Sequence, residues 1–447
     1  MENKIKSSDD ILISGCLDLG ISKPDGYSSV ANTLAKEGIN FVVLLEEREP
    51  DFFLKYDRYN PESYARLNRC GPHNSDYYPN HGDLKSFVKE FHDFGVEVLY
   101  GFWVHGNRWI EHRHPELLLT DQSGRQLRKD RFDYDFNPLL SLKKDPDFGI
   151  AEGELFASYA CRQYSKLADD FEFDGLFIGD GGMGFRIFGD DSVGVNTYDF
   201  SNSSIAGFLE SKQYRDDVDN NHDCILEKEL GDMNKTRSII ASHIWSFHQK
   251  KWIEWNCAQW SNLYYTLASF LHAKGKHKLG AFNCMNYGPE EALIHGVDYK
   301  AIAKSGLDYL IFQTYDYAWA TYFKLHNKDI KNNLEQLISL NNYLSSLKSK
   351  PKILFTAETS DSIEGWNCPL PRTLEQVRAY STLVDSSSCN FEQGSATRPL
   401  TDGFFIVWLN EVPSEHISKM RENFGTCHKA STALSSSNTL NNDVPNS

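Results

Sequence analysis

Six carboxylates recur at one place relative to separate apolar runs. Asp18, Glu46, Asp180, Asp316, Glu358 and Glu411 each stand at or just beyond the C-terminal end of a short strand-like segment. Carboxylates gathered into one pocket repel one another. Their pKa values split, leaving one ionised as base or nucleophile and another protonated as acid. Cleavage of a glycosidic bond uses such a pair. Any one of them alone also suits a helix N-cap or a structural ion pair. The recurrence at six run ends points to a shared site.

The same run ends carry side chains suited to a sugar. Trp103, His105, Asn107 and Trp109 follow the third run, and Arg186 follows the fourth. Asn283, Asn286 and Tyr287 follow the fifth, Gln313, Tyr315, Tyr317 and Trp319 the sixth, and Trp408 lies in the eighth. Flat aromatic faces pack on the C–H faces of sugars, and amides and carboxylates bond their hydroxyls. Asp18 and Glu46 join this binding set; Asp180, Asp316 and Glu358 are the candidates for catalysis. Trp252, Trp255 and Trp260 lie at helical spacing and read as core.

The elements that must position these residues are eight apolar runs: Ile11 to Leu19, Ile39 to Leu45, Val96 to Val104, Phe173 to Ile178, Leu279 to Cys284, Leu307 to Thr314, Ile353 to Ala357 and Phe404 to Leu409. Amphipathic helical stretches separate most of them: Ser28 to Lys36, Leu84 to Phe94, Leu155 to Phe171, one long helix from Ile239 to Ala273, Tyr299 to Lys304, Ile330 to Leu347 and Leu374 to Val384. Gly38, Gly95, Gly275 and Gly306 stand where helices should stop. Repeated helix, glycine, continuous apolar strand is the pattern of right-handed βαβ units in a covered parallel sheet. Eight units predict an α/β fold, a single (β/α)8 TIM barrel, over an open doubly wound sheet. No GxGxxG follows the first strand, which argues against dinucleotide binding.

Three connections are long: Gly106 to Asp147 after strand three, Gly181 to Arg237 after strand four, and Ser386 to Thr401 before strand eight. Strand-to-helix loops lie on the catalytic face of such a barrel, where long ones serve as lids or substrate walls. The expected organisation is a catalytic barrel over residues 1–427 with insertions at about 106–147 and 181–237, and a Ser/Asn/Thr-rich disordered tail over 428–447.

The chain resembles barrel glycoside hydrolases. The segment Phe173-Asp174-Gly175-Leu176-Phe177-Ile178-Gly179-Asp180 is similar to the strand-four signature of many of them, a Phe-Asp-Gly start leading to a carboxylate at the strand end. His114-Pro115-Glu116-Leu117, then Asp121 to Gly124 and Asn137-Pro138, resembles the strand-three excursion of several α-glycosidase-like barrels. In retaining α-glycosidases related to α-galactosidases, the strand-four Asp is nucleophile and a strand-six Asp is acid/base. That resemblance implies these roles for Asp180 and Asp316. Asp174-Gly175, Tyr315-Asp316 and Trp408 also match family-18 chitinase-like barrels, from which Phe177, Gly179 and Gly181 depart, Gly181 where that family has its Glu. The large retaining β-glycosidase clan would make Glu358 the nucleophile, but expects Asn-Glu where Gly179-Asp180 stands.

Composition narrows the alternatives. The 447 residues are 40% hydrophobic and 24% charged, values of a globular protein with a sizeable core, and 13% aromatic, which is high. A net charge of −16 without a basic block argues against nucleic acid or an anionic membrane as partner. Nine cysteines with no CxxC pair read as reduced thiols. Met1 to Asp10 is polar, Ile11 to Leu19 is too short for a signal peptide, and no run approaches a membrane span, so a cytoplasmic location is expected. No HExxH, Cys/His cluster or GxSxG occurs, and the strand ends lack Lys, so neither metal, serine nor Schiff-base chemistry is signalled, and no cofactor is expected. The expected partner is a carbohydrate substrate; the sequence carries no signal for an oligomeric state. The expected activity is that of an O-glycoside hydrolase or transglycosidase in carbohydrate metabolism, and the alternative is a silent carbohydrate-binding barrel.

Overall fold

The computed structural model describes residues 11–17, 27–45, 81–102, 114–121, 123–124, 141, 143–146, 149–179, 199–211, 214, 233–275, 277–282, 288–294, 296–314, 330–357, 369–381, 383–384, 398–407, 409 and 412–425. Eight strands, β1 (Leu12–Leu17), β2 (Phe41–Leu45), β3 (Glu97–Phe102), β4 (Gly175–Ile178), β5 (Lys278–Phe282), β6 (Tyr309–Phe312), β7 (Lys352–Ala357) and β8 (Gly403–Ile406), pair in parallel with their chain neighbours, and β1 pairs with β8. The sheet is therefore a closed (β/α)8 barrel, as the eight apolar runs predict. Each strand falls within its expected run or within two residues of it.

Closure follows from strands that are apolar on both faces. Alternate residues turn outward against the helices, such as Ile13, Leu17, Leu176 and Phe404. Their neighbours, such as Cys16, Val43, Leu99, Phe177 and Phe405, fill the barrel interior. The helices include α1 (Tyr27–Lys36), α2 (His81–Asp93), α3 (Phe156–Phe171), α4 (Asn202–Glu210), α5 (Met233–Phe247), α6 (Gln249–His272), α7 (Pro289–Ile294), α8 (Tyr299–Lys304), α9 (Ile330–Leu344) and α10 (Leu370–Ser381). The stops at Gly38, Gly95, Gly275 and Gly306 all take positive φ.

Two helix expectations are corrected. The single helix expected over Ile239 to Ala273 is two, because His248 leaves helical geometry (φ −126, ψ 16). Its buried ring lies against Tyr214 and His243, with centroids 5.3 and 5.5 Å away, where the two helices join. The helix expected over Leu374 to Val384 runs instead from Leu370 to Ser381, and Leu383–Val384 pairs antiparallel with Arg398–Pro399. Trp252 and Trp260 are fully buried, in keeping with their helical spacing.

The N-terminal rim of the barrel is closed by one bond pattern repeated four times. The side chains of Asn40, Asp174, Asp308 and Asp402, each just before an even-numbered strand, accept from the amides of Ile13, Val98, Leu279 and Ile353 at 2.7–2.8 Å. Their own N–H groups return to the carbonyls of those same residues at 2.7–2.9 Å. Each odd-numbered strand is thus clipped to the even-numbered strand that follows it in the chain. His92 and His272, from the last turns of α2 and α6, bond Asp174 and Asp308 at 2.7 and 2.9 Å.

The interior repeats by halves. Asp174-Gly175-Leu176-Phe177-Ile178 on β4 matches Asp402-Gly403-Phe404-Phe405-Ile406 on β8. A Cβ at Gly175 would collide with the Lys278 carbonyl, and one at Gly403 with that of Leu12, so both positions require glycine. The equivalent residues on β2 and β6, Phe41 and Tyr309, stack with centroids 4.6 Å apart. Lys278 pairs with Glu97 in this lower layer.

Candidate functional site

Every parallel strand points its C-terminal end to one face, so the mouth on that face is where the loops converge. Its floor is aromatic. Phe282 ends β5, and Phe177 and Phe405 are the penultimate residues of β4 and β8. The three rings meet at centroid distances of 4.9, 5.7 and 5.3 Å and are buried. Above them Gly179 follows β4 and is also buried.

One wall, at β6 and β7, is polar. Gln313 is 4% exposed at an inward position two residues beyond Ile311. The Thr314 N–H donates to Thr356 Oγ1 at 2.7 Å, Thr314 Oγ1 donates to the Thr356 carbonyl, and the two hydroxyl oxygens lie 3.0 Å apart. These threonines were not among the sequence-derived candidates. The available signal was a threonine at or near the end of each of two apolar runs, because a buried hydroxyl needs a partner.

The described parts of the β3 and β4 connections are stapled together. Buried Asp199 accepts from the Thr120 amide and the Ser201 amide, both at 3.0 Å, and from the hydroxyls of Ser201 and Ser204. The Ser201 hydroxyl in turn caps α4. Behind it Phe200, Ile205, Phe208, Ile240, Ile244, Trp252 and Trp255 form a second core. The connection after β4 is thus partly a packed helical subunit of the wall.

Gln313 is the sequence-derived site residue within the described set. Asp18, Glu46, Trp103, His105, Asn107, Trp109, Asp180, Arg186, Asn283, Tyr287, Tyr315, Asp316, Glu358 and Trp408 lie outside the described residues. Their places in the chain are plain. Asp18, Glu46 and Glu358 directly follow the last residues of β1, β2 and β7, and Asp180 is two beyond β4. The family-like residues that are described turn out to hold the fold. Asp174 of the Phe-Asp-Gly signature clips the opposite rim. Buried His114 lies 3.6 Å from the Asp145 carboxylate, and Asp121 accepts from the Ser123 amide and hydroxyl.

Among the described residues, the Lys278–Glu97 ion pair lies at the end of the barrel opposite the mouth. Burial is the largest single influence on the Lys278 ammonium and lowers its pKa, but the hydrogen bonds and charge interactions with Glu97 and Tyr309 together outweigh it and the net shift is upward. It stays protonated at the foot of β5, the wrong state and the wrong end for a Schiff-base nucleophile. Among the described residues, no helix is long and apolar enough to cross a membrane, and no group of three or more His, Cys, Asp or Glu gathers as a metal set.

No protein-family model matches this chain, and no curated protein matches it in sequence. Among solved structures it is similar to the β-galactosidase of the psychrophilic Marinomonas ef1, with a TM-score of 0.52 and 9% identity over 94% of this chain and 60% of that one. It is also similar to the polyextremophilic β-galactosidase of the Antarctic haloarchaeon Halorubrum lacusprofundi, with a TM-score of 0.51 and 10% identity over 93% of this chain and 58% of that one. The chain therefore spans about three fifths of the length of these two enzymes. What is shared is the fold, a (β/α)8 barrel.

Proposed function

We propose that this chain is a glycoside hydrolase or transglycosidase acting on an oligo- or polysaccharide through paired carboxylates. One observation carries the reading. The closed parallel barrel brings eight strand ends to one face, and four of the candidate carboxylates, Asp18, Glu46, Asp180 and Glu358, follow those ends by one or two residues. Two residues of chain reach at most about 7 Å. In this proposal Asp180 is nucleophile or base, Asp316 is the general acid/base and Glu358 is the reserve partner. Gln313 and the aromatic and amide residues after β3, β5, β6 and β8 bind sugar, with Arg186 and the carboxylates of Asp18 and Glu46.

The resemblance to retaining α-glycosidases supports Asp180 and Asp316 as the pair. A carboxyl separation of about 5–5.5 Å would give retention, and about 6.5–9.5 Å inversion. A second reading, a barrel that binds carbohydrate without cleaving it, is favoured by Gly179-Asp180-Gly181-Gly182, where no Glu follows the strand-four Asp. A hydrolysis screen over a broad glycan set, run on wild type, Asp180→Asn and Asp316→Asn, separates the two. Cleavage lost in both variants supports the enzyme. Full activity in Asp180→Asn would sink the assignment, and a glycan bound but never cut would favour the second reading.

A further inference from the structure

An open groove of about 870 Å3 runs along the outer wall, with α6 on one side and α7 and α8 on the other. On α6 its lining recurs every three or four residues from Lys250 to Tyr265, a stripe about 22 Å long. Contacts between the helices give its direction. The Cys257 thiol donates to the Leu293 carbonyl of α7 at 3.5 Å. Gly306, just past α8, lies so close to Ala268 and His272 of α6 that a Cβ on it would touch both. The chain from α7 to α8 thus advances along α6 from its middle towards its C-terminal end. Lys250 and Lys304 therefore stand at opposite ends of the groove.

Between those ends the lining is apolar or small, with Ile253, Ala258, Ile294 and Ala301, and Tyr265 and Ile294 are 59% and 38% exposed. The two carboxylates in the wall are already engaged. Glu254 lies 3.6 Å from Lys251, and Asp298 caps α8 through the amides of Lys300 and Ala301 and accepts from the Tyr343 hydroxyl. Lys250 and Lys304 have no such partner among the described residues. The groove thus offers an apolar floor with a free ammonium at each end. A complementary occupant is about 22 Å long, apolar in the middle and acidic at both ends. A second copy of the chain does not fit. A two-fold axis along α6 would set Lys250 against Lys250, and one across it would set Lys250 against Lys304, like charges in both cases. We propose that the groove docks an amphipathic helix of a partner protein, about four turns long, with an apolar stripe on one face and a carboxylate near each end. Ala258 and Ala301 leave room for its backbone to approach to an ordinary helix spacing of about 8–10 Å. The proposal does not rest on the glycosidase reading.

The test uses the full chain and a fluorescent synthetic peptide of about 16 residues. The peptide carries glutamates at both ends and leucines at i, i+3, i+4 and i+7 between them. Two further probes are the same peptide with lysine ends and the dianion hexadecanedioate. Fluorescence anisotropy reads binding, and circular dichroism reads helix formed on binding. Wild type should bind the acid-ended peptide as a helix and the lysine-ended one more weakly. Reversing both ammonium groups, Lys250→Glu with Lys304→Glu, should weaken the acid-ended peptide about 10-fold and strengthen the lysine-ended one. Ala258→Trp, which fills the groove from an exposed position, should abolish binding of both. No binding of the acid-ended peptide to wild type at ~1 mM would overturn the proposal. So would equal affinity for the two peptides, or unchanged binding by folded Ala258→Trp. Hexadecanedioate bound where the peptide is not would assign the groove to a small dianion instead. Sedimentation showing a wild-type dimer that Ala258→Trp dissociates would assign it to a second copy, and either result overturns the partner helix.

Discussion

Phe177 on β4 and Phe405 on β8 stack across the barrel interior, with ring centroids 5.7 Å apart and planes within 13° of parallel. They occupy the same position in the two Asp-Gly-x-Phe-Ile strands, and Phe282 meets both edge-on. Truncating either ring leaves a void directly beneath the mouth. Phe405→Ala should destabilise the protein by about 3–5 kcal/mol, read as a lower urea midpoint with an unchanged slope. A loss below about 1 kcal/mol would show that the floor collapses to fill the space.

The rim clips predict a contrast at Asp308. Asp308→Ala removes the side-chain acceptor of the Leu279 amide and should cost about 1–3 kcal/mol. Asp308→Asn keeps an acceptor of the kind that Asn40 already supplies to Ile13, and should cost clearly less. Equal melting temperatures for the two variants would remove the clip from the account of closure.

A pH effect follows from His92. Its bond to Asp174 raises the imidazole pKa above the ordinary value, against the opposing pull of burial. The stabilisation it adds is complete below about pH 6.5, the unperturbed value, and is lost as pH rises through the raised one. With side-chain exposures of 34% and 28% the pair is partly screened, so the effect should stay within about 1 kcal/mol. The melting temperature of wild type should therefore drop more between pH 6 and 8 than that of His92→Gln. Parallel curves for the two proteins would contradict the assignment.

The proposed roles of Asp180 and Asp316 separate by leaving group. A general acid matters least when the leaving group departs without a proton. Asp316→Asn should thus lose about 100- to 10,000-fold in rate on an alkyl glycoside but far less on an activated aryl glycoside. Asp180→Asn should lose activity on both. Equal losses for Asp316→Asn on the two substrates, measured as kcat/KM, would reassign it.

The barrel was legible because its signals are local. Apolar runs such as Ile353 to Ala357 and stops such as Gly95 and Gly306 report their own backbone state, and the strands formed where those runs lie. His248 was not legible as a break, because the rings that surround it come from Tyr214 and the turn before it. Asp174 read as part of a catalytic signature, yet the fold uses it at the far rim. Its distinguishing sign, an Asn or Asp before each even-numbered strand, emerges only when Asn40, Asp308 and Asp402 are set beside it.

The sequence by itself determined eight βα units, their approximate bounds and the run of carboxylates at strand ends, because periodicity and stop residues act within a few positions of chain. Only the tertiary structure decided which polar residues hold one another. Thr314 meets Thr356 across 42 residues, Asp174 meets Val98 across 76, and Asp199 meets Thr120 across 79. Such partners are chosen by strand register and closure, which bring distant hydroxyls, amides and carboxylates together where they satisfy one another's hydrogen bonds.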